Sequence, residues 1–482
     1  MSQEVKKMDR RNFIYAGLGA AVIVTGGAAV YFATQGPVTT TATTTATTTA
    51  TTTATTTATT TATTTATTQQ WKVLGQGPSI EEWAMEEWVK RYNTIHPEKK
   101  IDQEYVESVR YIESAKSRIL AGVQPDVMWA NTGTHGGEYI ALGAIQNLKN
   151  FYEKYNIWDR IIGGDPAKNP NSMANLVSYT PGEPFNFPPK SNAEPYWIPT
   201  TSPAWGFYYN PKIFSDNNAD LPETWDEYLA VCEKFKKAGL IPTALSANEP
   251  WEVEHYFDWL LANVPGGAVD DMSLINKAET GQVAWTDPPF MKAIEYYQEV
   301  RDKGYFQQGA VGMERDTVTL LFTEGKAAML CQGSWMVPLI ENTAPKFDFK
   351  VIPNCVPTIR PDKKHMTLGG CCQGWGISPK AKNIDDIYEF FEFITRPAQM
   401  SYYTIIGDMP IYNDVGAPQD VHYSEFLKSF PTMRQWIDIA LNTEMRERLR
   451  LNLKKFINLG MSGNQVLSDL EEYSQTLPQR KG

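Results

Sequence analysis

Short apolar runs alternate with amphipathic stretches from residue 71 onward. Residues 71–74, with the sequence Trp-Lys-Val-Leu, predict a first strand, and Gly75 and Gly77 follow it. Residues 80–92 repeat apolar side chains at helical spacing and predict a helix that Ser79 can cap. The alternation continues with a strand at 101–106, a helix at 111–121 and a strand at 126–130. Strand–helix–strand alternation predicts an α/β fold with a parallel sheet that is covered on both faces.

The first residues have a different pattern. Residues 1–12 form a basic head, and residues 13–33 carry no charge over 21 positions. That length is about what crosses a hydrocarbon core of roughly 30 Å, and the preceding positive charges predict a cytoplasmic head. Residues 13–33 are therefore predicted to be a transmembrane anchor or a signal segment. Residues 9–14 resemble a twin-arginine export signal; twin-arginine and general export both stay open, as does cleavage near residues 28–33.

A Thr/Ala-rich stalk is predicted at residues 34–70, and residues 39–68 contain only threonine and alanine. Such a tract buries too little apolar surface to offset the entropy of ordering, so we expect it to be disordered. Thr-rich tracts of this kind are typical of O-glycosylated extracellular stalks, although a plain flexible linker is the alternative. This arrangement predicts a globular part held outside the cell, at the cell surface, and anchored to the cytoplasmic membrane.

Composition narrows the classes of function. About 400 residues follow the stalk, which is more than one ordinary core holds and indicates two lobes. The net charge of −11 argues against nucleic acid as a partner. The five cysteines are scattered and are expected to be buried thiols, with the roles of Cys371 and Cys372 left open. The five histidines are dispersed as well, so the sequence predicts no metal site and no cofactor.

Several segments together resemble a known family over nearly all of residues 71–475. They contain, in order, Gly-Val-Gln-Pro-Asp-Val-Met-Trp-Ala, Tyr-Trp-Ile-Pro followed by Gly-Phe-Tyr-Tyr-Asn-Pro, Leu-Pro-Glu-Thr-Trp-Asp-Glu-Tyr, Phe-Thr-Glu-Gly-Lys-Ala-Ala-Met followed by Gly-Ser-Trp, and Leu-Gly-Gly followed by Gly-Ile-Ser-Pro-Lys. In the order and spacing of these segments, the chain resembles the extracellular solute-binding proteins of ABC transporters, of the carbohydrate-binding type that includes maltose-binding protein.

The resemblance implies a two-lobed, periplasmic-binding-protein-like fold of type II with three hinge crossings. Lobe 1 would comprise residues 71–198 and 356–412, and lobe 2 would comprise residues 199–355 and 413–482. The ligand would lie in the cleft between the lobes, which agrees with the general rule that ligands bind beyond the carboxyl ends of strands in open α/β sheets. Closure about short hinges would bury it.

The resemblance also implies a set of ligand-binding residues. Glu249 and Trp251 belong to a Glu-Pro-aromatic segment that contacts sugar in the family, and Trp335 follows the family's glycine at a stacking position. The other candidates are polar or small residues in loops after predicted strands and at the predicted crossings, together with two tryptophans. The full candidate set is Gln76, Asn131, Thr132, Thr134, His135, Thr201, Trp205, Glu249, Trp251, Gly333, Trp335, Gly370, Gln373 and Trp375.

These inferences predict a non-enzymatic receptor that captures a neutral sugar or oligosaccharide and delivers it to an ABC transporter permease. The candidate loops hold almost no Lys or Arg, which favours a neutral ligand, but a peptide, a polyol or a phosphate ester stays open. A tethered glycoside hydrolase is the alternative from another class of function. It would need two suitably spaced carboxyl groups, and the sequence does not define such a spacing. A calcium loop at residues 216–227 is disfavoured, because Leu221 stands where the loop requires glycine.

Overall fold

The structure is a computed structural model that describes residues 70–477, except 78, 170–171, 174–176, 181–189, 363–364, 371–372, 407–408, 410, 417, 419, 430–432 and 434–440. The predicted basic head, the predicted anchor or signal segment and nearly all of the predicted stalk lie outside the described residues. So do Cys371 and Cys372. None of the helices in the described part of the chain combines the length and apolar character of a membrane span.

The amino-terminal strands build the first sheet, in which the described chain has five strands in the order β2-β1-β3-β11-β6. Its strands are β1 (Gln70–Gly77), β2 (Lys100–Glu107), β3 (Val127–Asn131), β6 (Ile198–Pro199) and β11 (Gln373–Ile377). The pairs β1–β2 and β1–β3 are parallel, as the alternating pattern predicts. The sheet as a whole is mixed, because β11 runs antiparallel to both β3 and β6.

A second sheet has the order β10-β7-β9-β8 in the described chain. Its strands are β7 (Trp205–Tyr209), β8 (Ile241–Ala244), β9 (Ala327–Gly333) and β10 (Lys350–Val351). Strand β9 is buried along its whole length and pairs antiparallel with β7 and parallel with β8. A short antiparallel pair, β4 (Ser178–Tyr179) and β5 (Glu194–Pro195), stands apart from both sheets.

Helices cover both sheets. Those before β7 and those immediately after β11 are α1 (Ile80–Ile95), α2 (Ser108–Leu120), α3 (Gly137–Ala141), α4 (Lys149–Lys154), α5 (Ile157–Arg160), α13 (Ile384–Thr395) and α14 (Pro397–Ile406). The helices between β7 and β10 are α6 (Pro211–Asp216), α7 (Trp225–Lys237), α8 (Pro250–Asn263), α9 (Leu274–Glu279), α10 (Pro288–Asp302), α11 (Arg315–Thr323) and α12 (Met336–Thr343). The last helices are α15 (Ser424–Ser429), α16 (Thr443–Leu459) and α17 (Gly463–Ser474). Short 3₁₀ helices lie at Ala310–Gly312 and Val421–Tyr423.

Local sequence signals explain where several helices begin. Ser79 accepts a hydrogen bond from the backbone N–H of Glu82 and caps α1, as predicted. Thr224 and Glu227 form a reciprocal capping box at the start of α7. The Glu227 carboxylate, at the last position of the disfavoured calcium loop, accepts hydrogen bonds from the backbone N–H groups of Glu223 and Thr224. Ser462 caps α17 in the same reciprocal way with Gln465.

The chain passes between the sheets at two well-described places. It leaves the first sheet after Pro199 and enters the second at Trp205, and it returns between β10 and β11. The returning segment stays hydrogen-bonded to second-sheet elements: the N–H of Phe207 donates to the carbonyl of Cys355, and Ala204 bridges to Gly369. These pairings favour a return near residue 370, later than the predicted 356, and the lobe boundaries remain a proposal.

Three of the five cysteines are described, and they match the expectation of buried thiols. Cys232, Cys331 and Cys355 are free and buried, and burial raises the pKa of each thiol above its ordinary value. All three lie in the half of the molecule that contains the second sheet. They therefore act as small apolar side chains in its core.

Candidate functional site

A polar cluster lies at the end of the first sheet. Asn131 is the last residue of β3 and pairs directly with Gln373, the first residue of β11. The hydroxyl of Thr201 donates to Oε1 of Gln373 over 3.4 Å. The sheet register thus brings together three candidates that are up to 242 positions apart in the chain. They offer amide and hydroxyl groups with no formal charge, which suits hydrogen bonding to neutral hydroxyl groups.

The turn after β3 contains three further candidates. Thr132 begins a single π-helical turn, Thr132–Gly136; it is fully buried, and its carbonyl accepts a hydrogen bond from the hydroxyl of Tyr179. Thr134 belongs to the same turn, and its side chain lies outside the described residues. A π-helical turn is rare and often marks a functional position.

His135 lies in that turn and is partly exposed. Burial and then the positive charges of Arg446 and Arg450 hold the pKa of His135 well below its ordinary value of 6.5. Its imidazole is therefore neutral and can both donate and accept hydrogen bonds. Both arginines belong to α16, which packs on α8, so the turn after β3 lies within electrostatic reach of the second-sheet half.

Two tryptophans form the other part of the candidate site. Trp335 lies just before α12 and Trp251 in the first turn of α8; their ring centroids are 5.8 Å apart and the planes meet at 66°. Both side chains are partly exposed. We call this pair the aromatic ledge. Edge-to-face packing of this kind is a favoured arrangement of two aromatic rings.

Gly333 is required by the position of the Trp335 ring. A Cβ atom at residue 333 would lie 2.1 Å from a ring carbon of Trp335, so any other residue would displace the indole. The carbonyl of Gly333 accepts a hydrogen bond of 2.7 Å from the hydroxyl of Tyr208. The family-like Gly-Ser-Trp spacing is therefore a packing requirement in this chain.

Glu249 immediately precedes α8 and is partly exposed. Its side chain makes no capping hydrogen bond to the helix, although it lies at the position where caps usually act. Glu249 lies two positions before Trp251 of the aromatic ledge in the chain. Its predicted role as a ligand contact stays a prediction.

Backbone hydrogen bonds connect the polar cluster to the aromatic ledge. The N–H of Ser334 donates to the carbonyl of Ala204 over 2.7 Å, and the N–H of Ala204 donates to the hydroxyl of Ser334 over 3.2 Å. Ala204 also bridges to Gly369, in the segment that leads to Gln373. The segments 201–205, 333–335 and 369–373 therefore meet at one junction. Gly370 lies within it, with a φ of +99° that favours glycine.

Two predicted tryptophans occupy core positions. Trp205 is 1% exposed and packs edge-on against Phe207 at 5.4 Å. Trp375 is fully buried in β11, where a Cβ on Gly75 would lie 3.3 Å from its ring. Their role as ligand contacts stays a prediction, and burial favours a structural role for both. Gln76 is partly exposed on β1, where its carbonyl accepts a hydrogen bond of 3.0 Å from the Ser79 hydroxyl.

Glu252, which the sequence does not single out, is the least expected group near the ledge. It is 2% exposed, and among the described residues neither carboxyl oxygen has a hydrogen-bond partner of good geometry. Burial raises its pKa from 4.5 to about 8, although the charge of Arg315 and the side chain of Gln332 oppose the rise. The sequence gives only a weak signal, namely an acid one position after Trp251 in the first turn of α8.

Comparison with known proteins places the chain among binding proteins. Residues 77–401 match the family model of the bacterial extracellular solute-binding proteins. The multiple sugar-binding protein of Streptococcus mutans is 26% identical over 225 residues, which are 46% of this chain and 52% of that protein. An uncharacterized ABC transporter extracellular-binding protein of Pyrococcus horikoshii is 26% identical over 321 residues, 65% of this chain and 64% of that protein. The matched segments thus span about half to two thirds of these two relatives.

Solved structures with a similar fold cover most of the chain. A chitin oligosaccharide binding protein superposes with a TM-score of 0.71 at 20% identity, over 85% of this chain and 99% of that one. The protein RafE in complex with raffinose gives a TM-score of 0.67 at 20% identity, over 86% of this chain and 100% of that one. The fold is therefore that of a two-lobed α/β solute-binding protein. Since the family model matches well over half of its length, the chain belongs to the family of bacterial extracellular solute-binding proteins.

Proposed function

We propose that the protein captures a neutral sugar or oligosaccharide in the cleft between its lobes and delivers it to the permease of an ABC importer. The observation that carries this proposal is the aromatic ledge of Trp251 and Trp335, which is joined by backbone hydrogen bonds to an uncharged polar cluster. An open indole face packs on the C–H face of a sugar ring, while amide and hydroxyl groups bind its hydroxyl groups. The printed name of the Streptococcus mutans relative supports the same ligand class.

In this proposal, the ligand enters and leaves when the two lobes move about the short segments that connect them. Each lobe would contribute one part of the site, so that only the closed form completes it. The permease would bind the closed form, which couples capture to delivery. No covalent chemistry is part of this proposal, and the ligand would leave the protein unchanged.

The proposed location is the cell surface. Residues 13–33 would anchor the chain in the cytoplasmic membrane or serve as an export signal, and the Thr/Ala-rich stalk, with O-linked sugars, would hold the lobes away from the membrane. Membrane fractionation and the mass of the mature protein test this part. Recovery in the membrane fraction with an intact amino terminus supports an anchor, and a soluble protein shortened near residues 28–33 contradicts it.

A thermal-shift screen tests the ligand class. The full chain is heated with mono-, di- and oligosaccharides, with peptides, polyols and phosphate esters as the other ligand classes. A sugar at 100 times its dissociation constant should raise the free energy of unfolding by about 2.7 kcal/mol. Trp335→Ala should reduce the shift to about a third of its size, whereas Trp158→Ala, which removes a partly exposed indole packed on Tyr152 in the first-sheet half, should keep it.

The other outcomes separate the alternatives. A thermal shift with a peptide, a polyol or a phosphate ester, and none with sugars, would leave the family assignment unchanged and contradict the proposed sugar ligand. Chromatography of the recovered sugar distinguishes a receptor from the tethered hydrolase, because a receptor returns the oligosaccharide intact. Cleaved products that disappear in Glu249→Gln would overturn the proposal.

A further inference from the structure

Three potential metal ligands converge away from the aromatic ledge. Glu341 lies in the last turn of α12, and Asp420 and His422 lie at the 3₁₀ helix Val421–Tyr423. One ligand atom from each of the three residues lies within 4.8 Å of the other two. About 80 positions separate Glu341 from the other two in the chain, which is why no metal-binding spacing is visible in the sequence.

Both carboxylates approach the same ring nitrogen. Nδ1 of His422 lies 2.7 Å from Oδ1 of Asp420 and 3.1 Å from Oε1 of Glu341. A single N–H cannot point well at two oxygens at once, because a hydrogen bond prefers a nearly straight geometry. Three ligand atoms around one zinc ion, with bonds of about 2.0–2.1 Å, would be spaced by about 3.3 Å. The observed separations need only small side-chain adjustments to reach that spacing.

The imidazole is held in the orientation that this arrangement needs. The ring of His422 stacks flat on Phe349, with centroids 3.9 Å apart and an angle of 8° between the planes. The backbone N–H of His422 also donates to Oδ1 of Asp420 over 2.8 Å. Ring and carboxylate are therefore fixed before any ion arrives, which lowers the cost of organising the ligands.

Charge favours a cation in the centre. Two carboxylates and a neutral imidazole carry two negative charges, which a divalent cation would neutralise.

We propose that Glu341, Asp420 and His422 form a binding site for a divalent transition-metal ion of the zinc type. One nitrogen and two carboxylate oxygens are ligands that zinc accepts, with solvent at the remaining position. Calcium prefers six to eight oxygens, and magnesium prefers an oxygen octahedron, so neither matches this set. The site is independent of the proposed sugar binding. It would pin α12, which begins directly after Trp335, to the segment after residue 412.

A second histidine in the same protein serves as the matched control. His96 also has two carboxylate neighbours, Glu98 at 3.5 Å from Nδ1 and Glu389 at 3.3 Å from Nε2. Because these carboxylates face opposite ring nitrogens, they cannot share one ion with the ring. His96→Ala therefore removes a histidine with a similar charge environment and leaves the proposed metal site intact.

Isothermal titration of the EDTA-treated full chain with ZnCl₂ tests the proposal, with MgCl₂ and CaCl₂ in parallel. We expect one zinc ion per chain, no matching magnesium or calcium isotherm, and unchanged zinc binding in His96→Ala. His422→Ala and Glu341→Gln should each weaken zinc binding about tenfold or more. Glu341 is 40% exposed, so its glutamine variant is expected to fold even if the histidine variant does not.

Two results would overturn the metal site. One is a zinc isotherm that is the same in the parent, Glu341→Gln and His422→Ala proteins. The other is the absence of any zinc isotherm in the parent protein. In crystals grown with zinc, an anomalous peak between the three side chains supports the site, and zinc peaks only elsewhere on the molecule reject it.

Discussion

The two parts of the candidate site would recognise a ligand by different physical means. On the first-sheet side, Asn131, Gln373 and Thr201 offer directional hydrogen bonds from positions fixed by strand register. On the second-sheet side, Trp251 and Trp335 offer a broad apolar surface. Stacking gains affinity from any ring of suitable shape, whereas hydrogen bonds distinguish one pattern of hydroxyl groups from another. The comparison teaches that affinity and selectivity should be separable by mutation.

The largest expected effect concerns the buried acid beneath the second-sheet side. The folded-state pKa of Glu252, about 8, lies above its ordinary value of 4.5. Its contribution to stability is therefore fully present below about pH 4.5 and is lost as pH rises through about 8. Relative to Glu252→Gln, the parent protein should lose up to about 4 kcal/mol of unfolding free energy between pH 5 and pH 9. Urea unfolding across that range measures it, and a pH-independent difference would contradict the buried, protonated carboxyl.

Removal of one ring of the aromatic ledge should have the next largest effect. Trp335→Ala should weaken sugar binding by about 2 kcal/mol, or roughly thirtyfold, because it removes the stacking surface and exposes Trp251. The loss should be similar for every sugar that binds. Calorimetric titration with a series of oligosaccharides measures this loss. A loss confined to one sugar would contradict the inference that the aromatic ledge supplies affinity for every sugar that binds.

The polar side should show a smaller but selective effect. Gln373→Ala removes the side-chain amide of the residue that lies opposite Asn131 in the strand ladder, and we expect about 1–1.5 kcal/mol of weaker binding to the preferred sugar. Epimers that lack the matching hydroxyl should be affected less, so the ratio of affinities should fall. An equal loss of affinity for all epimers would show that Gln373 does not distinguish sugars by the positions of their hydroxyl groups.

The smallest effect is expected at Thr201. Its hydrogen bond to Gln373 is long, at 3.4 Å, so Thr201→Val should weaken binding by less than about 1 kcal/mol. Because Thr201 is fully buried and valine has nearly the same shape, the melting temperature should change little. Thermal unfolding and titration of the same preparation check both statements, and a loss as large as that of Trp335→Ala would contradict the comparison.

Local patterns in the sequence were sufficient to predict the amino-terminal half of the first sheet. Helical spacing in residues 80–92 and the following apolar runs predict α1, β2, α2 and β3 within a few residues of their observed bounds. The antiparallel insertion of β11 between β3 and β6 could not be predicted by pattern, because its partners are more than 170 positions away. It is this long-range pairing that assembles the polar cluster.

The candidate site could also be predicted only in part, because it depends on contacts between segments that are distant in the chain. Trp251 and Trp335, which the resemblance of short segments names separately as ligand-binding candidates, contact each other, and their role as ligand contacts stays a prediction. Trp205 and Trp375 carry equally suggestive aromatic rings, yet both lie in the core, and composition does not reveal which face of a strand is buried. Glu252 was missed because an acid near a helix start is usually solvated or capping.

The first crossing has a mechanical consequence. Only residues 200–204 separate the last paired residue of β6 from the first of β7, and all five are buried. Fully extended, such a segment spans about 17 Å, which limits how far apart its two ends can move. The two halves can therefore turn about this connection but cannot drift apart along it. A displacement of the Ser334 backbone would be transmitted to this connection directly, through the two hydrogen bonds that Ser334 makes with Ala204.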